Sequence, residues 1–166
     1  MSALPSIALI VAMRKDHLIG CDGGIPWKVP GEQKLFRDVT MGSVVIMGKE
    51  TWLSIPQKYR PLQGRDNVVV SSTLKEAPGA MRATSVNEAL AIARSYNKPI
   101  FFIGGAGIYA AAIDHVDHMH ISWIGYDGPL GSKKTYFPQF SKEEWVTEST
   151  MQYEHFTYEV FVRKNL

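Results

Sequence analysis

Apolar residues in this chain fall into short, nearly unbroken runs, and polar or helical stretches separate them. Ser6–Met13, Ser43–Met47, Asn67–Val70 and Ile100–Ile103 are such runs. Their length and their content of Val, Ile, Leu, Met and Phe predict strands buried on both faces. Ser85-Val-Asn-Glu88 is a capping box, in which a hydroxyl and a carboxyl group satisfy backbone N–H groups at a helix start. It predicts a helix over Glu88–Tyr96. Gly105–Ile113 predicts a second helix, and His118–Ile124 a further strand. Trp145–Thr150 and Tyr153–Arg163 alternate apolar and polar positions and predict a closing antiparallel hairpin. Strands alternating with helices predict an α/β fold with a mainly parallel sheet and an antiparallel C-terminal edge. No repeat or low-complexity linker interrupts the pattern. One domain over residues 1–166 is expected.

In such sheets ligands bind beyond the carboxyl ends of the strands. The first strand ends at Ala12-Met13 and leads to the loop Ile19-Gly-Cys-Asp-Gly-Gly24. Others end at Gly48-Lys-Glu-Thr51, at Ser71-Ser-Thr73 and at Gly104-Gly-Ala-Gly107. Hydroxyls, a lysine and glycines at strand–helix junctions suit phosphate groups, because backbone N–H groups and the helix dipole point there. Tight turns use the same glycines without any ligand. Gly-Gly-Ala-Gly is also not the GxGxxG pattern of dinucleotide sites. The weight lies in four such junctions along one edge.

A helix starting near Pro30 carries Glu32, Leu35 and Phe36 on one face, at i, i+3 and i+4. Trp27 lies just before it. Two readings of Glu32 stay open. It is an exposed first-turn acid facing the helix dipole. Alternatively it is a carboxylate on a pocket floor, where burial without a partner is costly and a hydrogen-bond-donating ligand relieves the cost.

Composition narrows the class. The 166 residues suffice for one domain with a real core, and the formal net charge is only +2. That charge offers no general attraction to nucleic acid or membranes. The single cysteine, Cys21, cannot form an internal disulfide and fits a reducing compartment. No apolar run approaches the length of a membrane span, and no signal-type segment opens the chain. A cytoplasmic, monomeric enzyme or binding domain is expected.

Ile19-Gly20, Ile25-Pro26-Trp27, Pro30, Glu32, Phe36, Ile46-Met-Gly48, Thr51-Trp52, Ser54-Ile55, Pro61-Leu62, Gly64-Arg65, Ser71-Ser72, Ile103-Gly104-Gly105, Tyr109 and Phe137-Pro138, in this order, resemble dihydrofolate reductase. The Pro-Gly-Glu-Gln stretch is most similar to the mobile-element-borne forms associated with trimethoprim insensitivity. The resemblance implies an eight-stranded sheet with four helices, NADPH as hydride donor and 7,8-dihydrofolate as acceptor. Antifolates become expected ligands. It places Glu32 under the pterin, where a bidentate carboxylate matches two adjacent N–H donors. Glu32, Trp27 and Tyr109 become the expected catalytic residues, with a water delivering the proton to N5. Ile10, Phe36, Ile55, Leu62 and Ser122 are implied around the substrate. Arg65 is implied on its α-carboxylate, as a planar fork that lysine does not offer, with Arg60 as a second candidate. Ala12, Ile19 and Tyr109 are implied around the nicotinamide. Lys49 with Ser71, Ser72 and Thr73 is implied on the adenosine 2′-phosphate, and Thr51 on the pyrophosphate. Gly20, Gly24, Gly48, Ile103, Gly104, Gly105, Ala106, Gly107 and Ile108 complete the expected cofactor contacts, with a cis bond between Gly104 and Gly105.

The chain departs from the family pattern at three places. Gly107 stands where a basic residue often helps hold the cofactor. Gly131-Ser-Lys-Lys134 replaces the usual acidic approach to Thr135. Pro56–Arg60 is longer than in short bacterial members. Outside the resemblance, Trp52, Trp123 and Trp145 read as packing, and Met47 and Met119 as core. His118 and His120 share a strand face near Asp114, His115 and Asp117, and no metal site is expected there. A pyrimidinone reductase of riboflavin synthesis and a non-catalytic nucleotide-binding module are the rival readings. The first has no need of the Trp27/Glu32 pair or Arg65.

Overall fold

The computed structural model describes residues 5–164. In chain order its elements are β1 (Ile7–Met13), β2 (Leu18–Cys21), α1 (Glu32–Thr40), β3 (Val44–Gly48), α2 (Lys49–Ser54), β4 (Asp66–Val70), β5 (Met81–Ala83), α3 (Val86–Arg94), β6 (Ile100–Gly104), α4 (Ala106–Ala112), β7 (His118–Ile124), β8 (Lys134–Tyr136), β9 (Trp145–Gln152) and β10 (Phe156–Arg163). A short 3-10 turn spans Gln57–Tyr59.

Eight strands form one sheet in the order β5-β4-β3-β6-β1-β7-β10-β9. The pairs from β5 through β7 are parallel, and β10 runs antiparallel to both β7 and β9. This is the expected architecture. The apolar runs become its central strands because helices cover both faces. On one face Leu9, Val11, Ile46, Val68 and Phe102 pack with α3 and α4 through Ala89, Leu90, Ala93, Tyr109 and Ala112. On the other, Ala8, Ile10, Val45, Met47, Val69 and Phe101 pack with Trp52 of α2 and with Phe36 and Val39 of α1. Alternate residues of one strand therefore enter different cores.

The structure adds a two-stranded sheet, β2-β8, that the pattern of apolar residues does not announce. Helix α3 starts two residues before the expected Glu88. The Ser85 hydroxyl accepts the Glu88 N–H at 3.1 Å, so Ser85 is the N-cap and Glu88 the third helical residue. It ends at Arg94, and Asn97 then turns with φ 54°. Strand β10 starts at Phe156 instead of Tyr153, because Tyr153 N–H bonds the Phe156 carbonyl across the hairpin turn.

Candidate active site

The amino end of α1 meets the carboxyl end of β1. Gly31, with φ 90°, turns the chain into α1, and no side chain caps the helix. Glu32 therefore opens the helix half-buried, on the same face as Leu35, Phe36 and Val39. Phe36 and Val39 pack onto Ile10, while Leu35 packs toward Trp27. The carboxyl group lies between the two apolar clusters. None of the ion pairs among the described residues involves Glu32, and burial raises its pKa above the ordinary carboxylate value. Of the two sequence readings, the freely exposed first-turn acid is not what the fold forms.

Tyr109 stands on the other side of the same strand end. Its buried hydroxyl donates to the Ile10 carbonyl at 2.8 Å. Burial, and to a lesser extent the charge of Glu32, raises its pKa. Trp27 is buried with Leu18, Ile124 and Phe156, and its ring is 5.9 Å from that of Tyr126. Ser122 is buried opposite Ala12 in the β1–β7 register. Ile55 and Leu62 join Phe36 and Ile10 in one cluster, so four apolar residues implied around the substrate do meet.

Two arginines part company. Arg65 donates to the Thr40 hydroxyl at 3.2 Å and to the Gln63 carbonyl at 3.0 Å. Burial, then the neighbouring charge of Arg37, lowers its pKa. Arg60 instead donates to the Trp52 carbonyl at 3.2 Å, with its guanidinium 5.5 Å from the Trp52 ring. It is docked against α2 rather than against Arg65.

The carboxyl ends of β3, β4 and β6 form a second cluster. Lys49 Nζ donates to the Thr73 hydroxyl at 3.1 Å, and the Ser71 and Thr73 hydroxyls are 3.4 Å apart. The Ser71 hydroxyl also accepts the N–H groups of Thr73 and Leu74. Ser72 is exposed beside them. The Gly104–Gly105 bond is cis, and Gly104 has φ 122° with a Cβ position only 3.3 Å from the Tyr109 hydroxyl. Only glycine suits that position. A Cβ on Gly105 would face Thr51 Oγ1 at 3.7 Å, one on Gly48 would press Ile108 at 3.2 Å, and one on Gly107 would meet open space. Ile103 and Ala106 flank this turn, half-buried. Ile19 packs on the core, a Cβ on Gly20 would sit 2.7 Å from Thr135 Oγ1, and Gly24 closes a turn by bonding Cys21.

A protein-family model described as dihydrofolate reductase matches residues 6–163. The chain belongs to the dihydrofolate reductase family. It is 40% identical over 130 residues to the dihydrofolate reductase of Cryptococcus neoformans, a match covering 68% of this chain and 57% of that protein. It is 33% identical over 165 residues to that of Candida albicans, covering 92% of this chain and 85% of the relative. With the dihydrofolate reductase type 3 of Salmonella typhimurium it shares 38% over 140 residues, 84% of this chain and 82% of the relative. The similarity to type-designated bacterial reductases agrees with the resemblance of the Pro30–Gln33 stretch. The family is one of oxidoreductases, and the α/β sheet described above is its fold.

Within the family frame, two features escape a reading of the sequence. Arg37, one helical turn before Thr40, brings a second cation near Arg65. Its spacing from Glu32 carries no such message, because the neighbour comes from a distant loop. The second is the acid missing before Thr135. Asp22, in the loop after β2, accepts the Lys133 N–H at 2.9 Å, and its own N–H bonds the Lys133 carbonyl at 2.7 Å. The carboxylate comes from the loop after the facing strand β2.

Proposed function

We propose that this protein reduces 7,8-dihydrofolate to 5,6,7,8-tetrahydrofolate with NADPH, in one domain over residues 1–166. The observation that carries the reading is Glu32, a half-buried carboxyl group on an apolar floor with no ionic partner among the described residues. A pterin offers two adjacent N–H donors to such a group. Ile10, Phe36, Ile55 and Leu62 supply the apolar walls, and Ser122 a hydroxyl beside β1. Arg65 with Arg37 suits the substrate's carboxylate tail. Two cations held close together are relieved by an anion.

The donor set at the sheet edge fits NADPH. One ammonium and neighbouring hydroxyls, Lys49 with Ser71, Ser72 and Thr73, match a 2′-phosphate. Gly104 and Gly105 allow backbone to approach the cofactor, and Thr51 stands beside them to bind the pyrophosphate. NADPH, when bound, supplies the hydride for C6 of the pterin. The chain's own part is positioning. Tyr109 fixes the Ile10 carbonyl, Ala12 and Ile19 limit the space at the carboxyl end of β1, and Glu32 orients the pterin. With Trp27 it orders the water that protonates N5.

The type-designated relatives and the Glu32-Gln33 pair support reduced sensitivity to trimethoprim. The lone Cys21 supports a cytoplasmic location, and a monomer is the simplest assembly for a cleft completed within one chain. The test is steady-state oxidation of NADPH in the presence of dihydrofolate. Dihydrofolate-dependent oxidation that falls sharply in Glu32→Gln supports the reading. Its absence, with a folded protein, overturns it.

A further inference from the structure

The loop after β4 is held from two sides. The Ser71 hydroxyl accepts the N–H groups of Thr73, at 3.1 Å, and of Leu74, at 2.9 Å. Such a hydroxyl turn satisfies donors and leaves the loop's carbonyls to others. Arg82, exposed on β5, takes two of them. Its Nη1 donates to the Leu74 carbonyl at 3.1 Å and also to the Lys75 carbonyl. That nitrogen carries two N–H groups in one fixed plane, one for each acceptor. Both polar groups of the Leu74 backbone are therefore committed, the N–H to Ser71 and the carbonyl to Arg82.

Strand register brings Arg82 there. It lies opposite Val69 in the parallel β4–β5 pair. Ala83, the next residue, is buried in the core under α3 and α4. Alternation sends the Arg82 side chain to the other face, where Val69, Leu74 and Trp52 of α2 pack together. Lys49 opens α2, and its Nζ donates to the Thr73 hydroxyl. Thr73 thus stands between the lysine and the segment that Arg82 clasps. Helix α4, at the same sheet edge, contains only Ala, Gly, Ile and Tyr and supplies no cation. None of the ion pairs among the described residues involves Arg82, so the two carbonyls are the acceptors that fix its position.

We propose that Arg82 is a positioning residue for cofactor choice: by clasping Leu74 and Lys75 it holds the loop in the form that presents the Ser71 and Thr73 hydroxyls beside Lys49 to the 2′-phosphate. The inference rests on the reading of Lys49, Ser71, Ser72 and Thr73 as the 2′-phosphate site. Arg82 acts through the loop and not on the phosphate itself. A loop that is exposed and unclasped must be ordered when the phosphate arrives, and that ordering subtracts from affinity. A charged donor on the carbonyls supplies the order beforehand. NADH has no 2′-phosphate to meet the hydroxyls, so the clasp brings it little. Arg82 therefore widens the gap between the two cofactors.

The experiment uses the full chain. Binding of NADPH and NADH is followed by fluorescence, and binding of adenosine 2′,5′-bisphosphate and adenosine 5′-monophosphate by calorimetry. Arg82→Ala should weaken NADPH and the bisphosphate by about fivefold or more, and NADH and the monophosphate by less than about twofold. In steady state the loss should appear in KM for NADPH, with kcat and KM for dihydrofolate kept. Arg82→Lys, which restores a charged donor, should recover part of the loss. Arg94→Ala, which removes an exposed cation at the end of α3, should bind all four ligands as the parent does. In a Lys49→Ala background Arg82→Ala should cost less than in the parent, because both act on one phosphate through one loop. Equal losses for NADPH and NADH, no loss for either, or fully additive losses in the double variant overturn the proposal. So does a parent that binds the bisphosphate no better than the monophosphate. The calorimetry needs no turnover, so a parent inactive on dihydrofolate would overturn the proposed reaction while the bisphosphate still decides the role of Arg82.

Discussion

Gly131 faces Asp22 so closely that a Cβ at position 131 would overlap the Asp22 carboxylate. The same contact closes a strap. Asp22 accepts the Lys133 N–H, and the buried Cys21 sulfur accepts the Gly131 N–H at 2.9 Å. The strap runs on through Gly23 and Gly24 into Pro26 and the buried Trp27.

Gly131→Ala should open this strap, because the new methyl displaces the carboxylate. Cys21 is the only cysteine, so its reaction with a thiol reagent reports the opening directly. Labelling should accelerate by about tenfold or more in Gly131→Ala and in Asp22→Ala, as local opening becomes easier. Asp22→Asn keeps the acceptor oxygen and should label nearly as slowly as the parent. The double variant Asp22→Ala, Gly131→Ala should be no faster than either single one, since the clash and the bond it breaks are one interaction. Additive acceleration would separate the two residues.

Glu32→Gln should lower turnover at neutral pH by roughly a hundredfold or more, with NADPH binding nearly intact. The same variant should be more stable than the parent at neutral pH. Burial raises the carboxyl pKa of Glu32 above its ordinary 4.5. The folded chain then holds this proton where the unfolded chain has lost it. Stability accordingly falls as pH rises through that window and stays lower above it. Glutamine removes the charge and the loss. Urea unfolding of both proteins, at neutral pH and below the ordinary value, measures the difference. The gap should vanish in acid.

Lys49→Ala should weaken NADPH binding by roughly ten- to a hundredfold, the range for a charge-assisted hydrogen bond to phosphate. NADH, which lacks the 2′-phosphate, should bind almost as before. Equal losses for both cofactors would remove Lys49 from this role. Fluorescence titration of the two cofactors against parent and variant gives the ratio.

Trimethoprim should inhibit poorly, and Glu32→Asp combined with Gln33→Leu should restore sensitivity. Glu32 is one methylene longer than aspartate, so a diaminopyrimidine bonded to it sits shifted. Gln33 follows in the same first turn and is exposed. Its amide is expected to stand where the inhibitor's trimethoxyphenyl ring would otherwise find apolar contact. At about 25 cal/mol per Å², some tens of Å² of lost contact is worth on the order of 1 kcal/mol, or about fivefold in affinity. Dihydrofolate should lose less, since the carboxylate tail proposed to pair with Arg65 is absent from the inhibitor. Inhibition constants of the parent and the double variant are the measurement. Tight inhibition of the parent would remove these two residues as a cause.

The central strands follow from the sequence without tertiary information. Ile7–Met13 and Ile100–Gly104 are continuous apolar runs whose short length and β-branched and aromatic content favour a strand covered on both faces. The start of α3 is equally local, since the Ser85 hydroxyl accepts the Glu88 N–H while the Glu88 carboxylate accepts the N–H and hydroxyl of Thr84. The family, too, is written in the order of short motifs. Strands β2 and β8 are different. They are short and carry no apolar run, and they exist only because residues more than a hundred positions apart pair with each other. Lys49 meets Thr73, and Arg60 turns to Trp52 rather than Arg65, through contacts between helix α2 and separate loops. The environment of Glu32 is decided in the same way. Helical spacing places it beside Leu35 and Phe36, but only the packing of α1 against β1 removes water from its carboxyl group. Local periodicity selects an element and its buried face. The partner of a polar side chain is selected by long-range register, which no local pattern carries.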